Sequence, residues 1–274
     1  MLTERARAEG FDVATKCSRA GDIVHAHSGQ AHNMAVRATL GASITRVVTR
    51  HVAFTPRHPL VHRLKYTKTC DGIIAVSDAV REVLLLAGIP SSHITVIHTG
   101  VEVPASVERR AHDGLVVGHM GAFTPEKGQD VLVEAARALP DVRFVLAGEG
   151  ALLEELKQSA PSNVSFLGFV ADKAEFFAGI DVFAMPSRSE AWGLAALEAM
   201  AHGVAVIASD IQGLREIVTP DSGWVVPLAG MVDAIRMAGG NACPTGGRAR
   251  AAEFGVARMA QETETFYRRL HPLS

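Results

Sequence analysis

The chain has 274 residues, of which 48% are hydrophobic, so it can form one large domain or two small ones with sizeable cores. Its formal net charge of −2 gives no electrostatic reason to expect nucleic acid as a partner. Three widely spaced cysteines exclude a zinc ribbon and a disulfide framework, and no apolar run reaches the roughly 20 residues of a membrane span.

The first hundred residues alternate short apolar strands with helical patterns. The predicted strands cover residues 22–26, 44–49, 72–76 and 94–97. One helix follows Gly29, and another begins at Ser77 or Asp78, either of which can cap it. This alternation favours a parallel sheet with helices on both faces.

Residues 101–113 are polar and aperiodic and contain Pro104, so they are predicted to form an interdomain linker. The alternation then restarts, with strands predicted at 115–120, 142–147, 164–167, 182–185, 204–208 and 223–226. The helices are predicted at 128–139, 151–159, 172–179, 214–218 and, as a charged amphipathic helix, 248–270. Ligands of open α/β sheets bind beyond the carboxyl ends of the strands, and two such units facing each other form a cleft.

Two glutamates, Glu190 and Glu198, lie eight positions apart in an apolar segment that follows the strand at 182–185. Carboxylates are costly in such surroundings unless something binds them. If a helix begins near Gly193, the free amides of Gly193, Leu194 and Ala195 form an anion site between the two carboxylates. The spacing alone also fits an ordinary amphipathic helix with a solvated Glu198.

Three further segments can face the same ligand. Gly121 and Gly128 allow close approach of the backbone to a ligand, and Lys127 can neutralise a phosphate. Residues 148–150, with the sequence Gly-Glu-Gly, open the next helix, and His51 closes a strand of the first unit. Taken singly, these features also fit a surface lysine, an ordinary turn and a structural histidine.

A second class of protein is suggested by three histidines near the start of the chain. His25 and His27 share one face of a strand, and His32 follows, as metal ligands of a hydrolase sometimes do. Such a site needs further ligands, and the sequence contains no cysteine cluster or H-E-x-x-H motif that would supply them.

The chain resembles the retaining glycosyltransferases of family 4 in seven segments that follow the family's order. They are DIVHAH, VVTRH, IIAVSDAVREVLLLAGIP, ITVIHTGVE, TPEKGQDVLVEAARALPDVRFVLAGEG, VSFLGFV and SEAWGLAALEAMAHGVAVIAS, within residues 22–227. The resemblance implies the α/β GT-B fold, in which two Rossmann-like domains with parallel sheets face a cleft. The acceptor-side domain would cover residues 1–103 and the nucleotide-sugar domain 114–247, and a C-terminal helix over 248–274 would pack back toward the first domain.

The same resemblance implies transfer of a sugar from a UDP- or GDP-linked donor to a sugar or lipid-linked acceptor hydroxyl, with retention and without a metal or other cofactor. Polysaccharide, lipopolysaccharide or glycolipid synthesis in the cytoplasm would be the setting, with weak peripheral membrane contact through the basic N-terminal segment. The sequence indicates no oligomeric state.

The family's site residues map onto this chain by position. Glu190 would hold the donor sugar, Glu198 the ribose, and Lys127 the pyrophosphate beside the amides of residues 193–195. His51 would contact the transferred sugar near the reacting carbon. Four residues would lie around the nucleobase, namely Glu149, Gly150, Phe169 and Val170.

Two departures from the family pattern change the expectation. Ala122 stands where the family has an arginine that partners the lysine, so charge compensation would fall to Lys127 or to another cation such as Arg188. The family's opening strands and glycine-rich loop have no counterpart, which predicts an incomplete acceptor domain. A degenerate nucleotide-sugar-binding protein without transferase activity is therefore an alternative to an enzyme.

Overall fold

The computed structural model describes residues 23–53, 58–240 and 243–271. The chain divides into two compact units, one comprising Met1–Gly100 with Val256–Ser274 and the other Val101–Gly255. The predicted strand start at Asp22 and the basic N-terminal segment lie outside the described residues. None of the helices in the described part has both the length and the apolar composition that crossing a bilayer requires.

The first unit contains a parallel sheet of four strands in the order β1-β2-β3-β4. They are β1 (Ile23–Ala26), β2 (Thr45–Arg50), β3 (Gly72–Ala75) and β4 (Ile94–Val96). The connecting helices are α1 (Gly29–Ala38), α2 (Pro59–Thr69) and α3 (Asp78–Leu86). The sequence allowed Ser77 or Asp78 as the cap of α3, and it is the Ser77 hydroxyl that accepts the Val80 amide, at 3.1 Å.

The second unit contains a parallel sheet of six strands in the order β10-β9-β8-β5-β6-β7, so the predicted α/β class with two parallel sheets is confirmed. Its strands are β5 (Val116–Met120), β6 (Arg143–Ala147), β7 (Val164–Gly168), β8 (Val182–Met185), β9 (Ala205–Ser209) and β10 (Gly223–Val226). Its helices are α4 (Gln129–Ala138), α5 (Leu153–Ser159), α6 (Lys173–Ala178), α7 (Leu194–Ala201), α8 (Gln212–Arg215), α9 (Met231–Ala238) and α10 (Gly247–Ala252).

The segment predicted as one helix over 248–270 forms two, α10 and α11 (Val256–Leu270), so that prediction was wrong. The break has a backbone cause: the Phe254 carbonyl accepts the Val101 amide at 2.9 Å, and Gly255 pairs with Val101 in an isolated bridge.

Residues 101–113, predicted as a linker, belong to the second unit, where the Arg110 amide donates to the Ala178 carbonyl at 2.8 Å.

Helix α11 supplies part of the core of the first unit. Phe266 packs with Val47, Ile74 and Ile97, which lie on one face of the sheet. Gly72 of β3 is required here, since a Cβ at this position would lie 2.7 Å from the Phe266 ring. The burial of Phe266 against these strands therefore fixes α11 to the sheet.

Candidate functional site

At the centre of the second sheet, the chain runs from β5 toward β6 and from β8 toward β9, in opposite directions along the sheet. Strand β5 lies between β8 and β6, so the chain leaves β5 on one side and later returns to its other side. Such a topological switch point opens a crevice at the carboxyl ends of the strands, where ligands bind in this class of fold. Lys127 follows β5 and Glu190 follows β8, so two of the predicted site residues lie at this point.

Lys127 and Glu190 are paired with each other. The Lys127 ammonium donates to Oε2 of Glu190, and Oε1 of Glu190 accepts the Ala191 amide at 3.1 Å. The two side chains are 28% and 14% exposed, so the pair is shielded but a ligand can still reach it. The structure thus places a hydrogen-bond donor and a hydrogen-bond acceptor side by side at the crevice.

A glycine holds the two loops together. Gly128 has a φ of 71°, and a Cβ there would lie 2.1 Å from the Pro186 carbonyl oxygen. The Arg188 amide donates to the Glu126 carbonyl at 2.7 Å across the same contact. Only glycine combines this conformation with this approach, so Gly128 fixes Lys127 opposite Glu190.

Arg188 is hydrogen-bonded to other groups of the protein. Its two terminal nitrogens donate to both oxygens of Asp130, at 2.8 and 2.6 Å, and one also donates to the Pro125 carbonyl at 2.9 Å. The guanidinium lowers the pKa of Asp130 through these hydrogen bonds. The sequence suggested Arg188 as a replacement phosphate ligand, whereas the structure uses it to join the loop after β8 to α4.

Glu198 lies in the second turn of α7 and is also paired with a lysine. The Lys173 ammonium donates to Oε1 of Glu198 at 2.7 Å. The lysine side chain is 49% exposed and the glutamate side chain 17%. Glu198 is therefore a largely covered ion-pair partner and not a solvated residue. Sequence reasoning missed Lys173, although the residue directly follows the Asp172 cap at the carboxyl edge of the sheet.

The amino end of α7 lies between the two glutamates. Gly193 caps the helix with a φ of 78°, and a Cβ there would lie 2.4 Å from Cδ2 of Leu214. Among the described residues, no backbone carbonyl accepts the amides of residues 193–195, which include Leu194 and Ala195. These amides stay available at the positive end of the helix dipole.

The loops after β5 and β6 also touch one another. A Cβ at Gly148 would lie 1.9 Å from the Gly121 carbonyl oxygen, and the Phe123 amide donates to the Glu149 carbonyl at 2.8 Å. The Gly-Glu-Gly turn thus has a packing role in addition to any ligand role. Glu149 and Gly150 are exposed, and in the loop after β7 Phe169 is 76% exposed while Val170 is half-buried.

His119 of β5 was not identified from the sequence and lies buried beneath the loop that carries Lys127. Its Nδ1 donates to the Ala184 carbonyl at 2.9 Å, and the Gln129 amide donates to its Nε2 at 3.1 Å and to the Ala122 carbonyl at 2.8 Å. Burial lowers the pKa of His119 to about 4, so the ring is neutral near pH 7. This neutral ring ties β5 to β8 and to the start of α4.

His51 belongs to the first unit, just after β2, where its Nε2 lies 3.4 Å from Nδ1 of His27. Among the described residues, the three histidines considered as ligands for the alternative metal site do not form one cluster. Both ring nitrogens of His25 form hydrogen bonds, one with the Tyr267 hydroxyl and one with the Thr49 hydroxyl. His32 forms a hydrogen bond with the Thr69 hydroxyl.

Two family models match the chain along most of its length. Residues 18–103 match the model described as Glycosyltransferase Family 4, and residues 114–238 match that described as Glycosyl transferases group 1. The chain is also 34% identical over 166 residues to the D-inositol 3-phosphate glycosyltransferase of Mycobacterium tuberculosis. That match covers 52% of this chain and 34% of the relative, so the chain spans about a third of the length of the curated relatives it matches.

Solved structures share the fold. The HepE protein of Anabaena, in complex with UDP and glucose, superposes with a TM-score of 0.81 at 24% identity, over 89% of this chain and 77% of that one. Sucrose-phosphate synthase of Thermosynechococcus elongatus gives a TM-score of 0.81 at 22% identity, over 92% and 74% of the two chains. The two parallel sheets and these likenesses define an α/β fold of the GT-B class. Together with the family models, they show that the chain belongs to glycosyltransferase family 4.

Proposed function

We propose that this chain transfers a sugar from a nucleoside-diphosphate sugar to an acceptor hydroxyl. The observation that carries the proposal is the paired Lys127 and Glu190 at the switch point, beside the free amides at the start of α7. Membership of family 4 supports the same reaction class.

The chemistry of the site matches the parts of such a donor. The hydroxyl groups of a sugar and a ribose donate hydrogen bonds to carboxylates, and Glu190 and Glu198 supply two carboxylates. A diphosphate needs donors and positive charge, which Lys127 and the amides of residues 193–195 provide. In this proposal Glu190 binds the sugar, Glu198 binds the ribose, and the diphosphate lies between them.

The nucleobase would lie against the loops after β6 and β7. Phe169 exposes most of its ring there, and an exposed ring can stack on a planar base. Glu149, Gly150 and Val170 border the same loops, and Gly121 adjoins them through its contact with Gly148. A uridine or guanosine diphosphate is the proposed carrier, and the bound UDP of the HepE structure supports the first of these.

We further propose that transfer retains the anomeric configuration. The carbon–oxygen bond to the diphosphate breaks, and Lys127 with the α7 amides stabilises the negative charge that develops on the leaving group. The acceptor hydroxyl attacks on the same face of the sugar and gives its proton to the departing phosphate oxygen. His51 is proposed to contact the transferred sugar.

The acceptor is proposed to be a sugar or lipid-linked sugar in polysaccharide, lipopolysaccharide or glycolipid synthesis. The reaction would take place in the cytoplasm, with peripheral contact to the inner face of the membrane. These settings follow from the family resemblance, and the N-terminal segment suggested for membrane contact lies outside the described residues.

A screen of donors tests the proposal. UDP- and GDP-sugars are ranked by the rise in melting temperature of the protein, and the best is incubated with candidate acceptors while nucleotide release is followed. Proton NMR of the first-formed product then gives the anomeric coupling constant. We expect acceptor-dependent release of nucleotide and the donor's own configuration in the product. Tight donor binding with no release in the presence of any acceptor would favour the degenerate binding protein instead.

A further inference from the structure

Three histidines of the first unit lie in a row on one face of its sheet. His25 and His27 share a face because side chains of a strand alternate with period two. Strand β2 lies next to β1 in parallel register, with His25 opposite Val47. Thr49 lies on the matching face of β2, and His51 follows directly after the strand. The segment HAH, which the proposed reaction does not use, is thus the neighbour of His51.

His25 is held rigidly. Its Nδ1 is hydrogen-bonded to the Tyr267 hydroxyl of α11, and its Nε2 lies 2.7 Å from the Thr49 hydroxyl. Burial, with the nearby His27 and His51, lowers the pKa of His25 to about 3. The ring is therefore neutral near pH 7 and cannot turn without losing both hydrogen bonds.

His27 lies between this fixed ring and His51. Its ring stacks on His25 with centroids 4.2 Å apart and planes 30° apart. Its Nδ1 lies 3.4 Å from Nε2 of His51, with the ring centroids 5.7 Å apart. Tyr267 and Thr49 thus hold His25, which stacks on His27, and His27 in turn contacts His51.

We propose that His27 is a positioning residue for His51, whose ring orientation and tautomer it sets through the contact between Nδ1 of His27 and Nε2 of His51. A neutral imidazole carries one N–H and one bare nitrogen, and a hydrogen bond between Nδ1 of His27 and Nε2 of His51 requires that one of them donates and the other accepts. The nitrogen that donates decides whether Nδ1 of His51 is a donor or an acceptor toward a ligand. The catalytic consequence rests on the proposed function, whereas the positioning itself does not.

The charges around His51 favour a neutral ring. Burial lowers its pKa, and so do the positive charges that His27, just after β1, and the adjacent Arg50 of β2 can carry. Tyr267, the α11 residue of this group, faces His25. A neutral His51 keeps its tautomer defined, which a doubly protonated ring would not.

Nitrogen-15 NMR of the histidine rings tests the proposal on the full chain without any activity. His27→Phe keeps a ring against His25 but has no nitrogen, whereas His27→Asn keeps a polar group near the position of Nδ1. His51→Gln assigns the His51 signals, and His62→Asn in α2 is the control for substituting another histidine of the unit. Melting curves identify any variant that is unfolded.

We expect one tautomer of His51 in the unsubstituted protein and in His27→Asn. In His27→Phe we expect a mixture of tautomers. We also expect a rise of the His51 pKa, because a protonated His27 no longer opposes the protonation of His51 as the pH falls. The same tautomer and pKa in all three proteins would overturn the proposal. If His27→Phe does not fold, a His51 tautomer in His27→Asn that differs from that of the unsubstituted protein would also overturn it.

Kinetics add a second measurement. We expect kcat to fall about tenfold in His27→Phe with the donor KM unchanged, and His27→Asn to recover most of the loss, as for a group that orients a catalytic side chain. Equal losses in both variants would contradict a role through the hydrogen bond. If the unsubstituted protein transfers no sugar while its His51 tautomer still depends on His27, the proposed function fails and the positioning role stands.

Discussion

Lys127 neutralises Glu190 in the structure, and in the proposed reaction the same ammonium also binds the diphosphate. The pair solves a local problem, because a carboxylate that is only 14% exposed is costly unless a cation accompanies it. A bound donor would add a second anionic partner to Lys127 and hydroxyl groups to Glu190. Each side chain therefore has a structural role and a proposed binding role, and substitutions must separate the two.

Lys127→Met and Glu190→Gln are expected to act on different steps. Lys127→Met would remove the proposed charge-assisted hydrogen bond to the diphosphate, so the affinity for UDP or GDP should fall tenfold, or about 1.4 kcal/mol. In the proposal, Glu190 contacts only the sugar part of the donor, so Glu190→Gln should change nucleotide affinity little. Isothermal titration with the nucleotide that the donor screen selects measures both. An unchanged affinity in Lys127→Met would contradict the diphosphate role.

The glycine at the loop contact gives a test with a matched control. Gly128→Ala must fit a Cβ 2.1 Å from a backbone oxygen at a φ of 71°, whereas Gly168→Ala has a φ of 67° and no atom within 4 Å. Both substitutions incur the left-handed penalty of about 1 kcal/mol, and only the first adds a clash. Urea unfolding should show a larger loss for Gly128→Ala. Equal losses would mean that the two loops are not held as described.

At the scale of single residues, the sequence identified residues that belong to a motif and missed residues defined by tertiary contact. Glu190, Glu198 and Lys127 were found through their spacing and family resemblance, and their assigned roles stay predictions. Lys173 lies 25 positions before Glu198, so no local pattern connects them. His119 was missed because one polar residue in an apolar strand does not reveal its partners.

At the scale of elements, the buried His119 couples β5, β8 and α4 to pH. Its pKa is about 4 in the folded protein and about 6.5 in the unfolded chain. Between these values only the unfolded chain takes up the proton, so the free energy of unfolding falls as the pH drops from 6.5 to 4 and is unaffected by this group above pH 6.5.

His119→Gln should remove this part of the pH dependence. At pH 5 the loss due to His119 is about 2 kcal/mol, from 1.5 pH units below the unfolded pKa. Urea unfolding at pH 7.5 and pH 5 should therefore show a smaller difference in the variant than in the unsubstituted protein, while values at pH 7.5 and 8.5 agree within each protein. An equal acid loss in both proteins would show that His119 is protonated in the folded state.

Phe266 gives the corresponding test for α11. Phe266→Ala removes a buried ring from the core of the first unit, which typically lowers the free energy of unfolding by about 3–5 kcal/mol. Thr265→Ala on the exposed side of the same helix should change it by less than about 0.5 kcal/mol. Calorimetry of the two variants compares them, and similar small effects would mean that α11 does not complete this core.

The elements found from the sequence were those with a clear period and a clear cap, such as the capped α3 and the strands β8 and β10. Helix α2 was missed because Tyr66 is the only buried side chain among those whose burial the structure describes in this helix, so no apolar stripe is visible. Helix α9 buries Met231, Ala234, Ile235 and Ala238, and this helical spacing could have revealed it. The break between α10 and α11 depends on contacts with Val101, which the local sequence does not contain.

At the scale of the whole molecule, the restart of the strand–helix alternation was enough to predict two parallel sheets. The strand order of each sheet could not be read from that alternation. The order of the second sheet matters most, because it puts the loops after β5 and β8 at the switch point and so explains why residues 63 positions apart form one ion pair. The chain's grouping of Val256–Ser274 with its first hundred residues likewise depends on tertiary packing.

Acceptor-dependent release of nucleotide by the unsubstituted protein and by Glu190→Gln, at matched saturation with nucleotide-sugar, tests the central claim most directly. The claim is that the switch-point site positions a donor sugar for transfer. We predict steady release by the unsubstituted protein and a rate at least a hundredfold lower in Glu190→Gln, a loss of about 2.7 kcal/mol of transition-state stabilisation. Equal rates in the two proteins at saturation would contradict the claim.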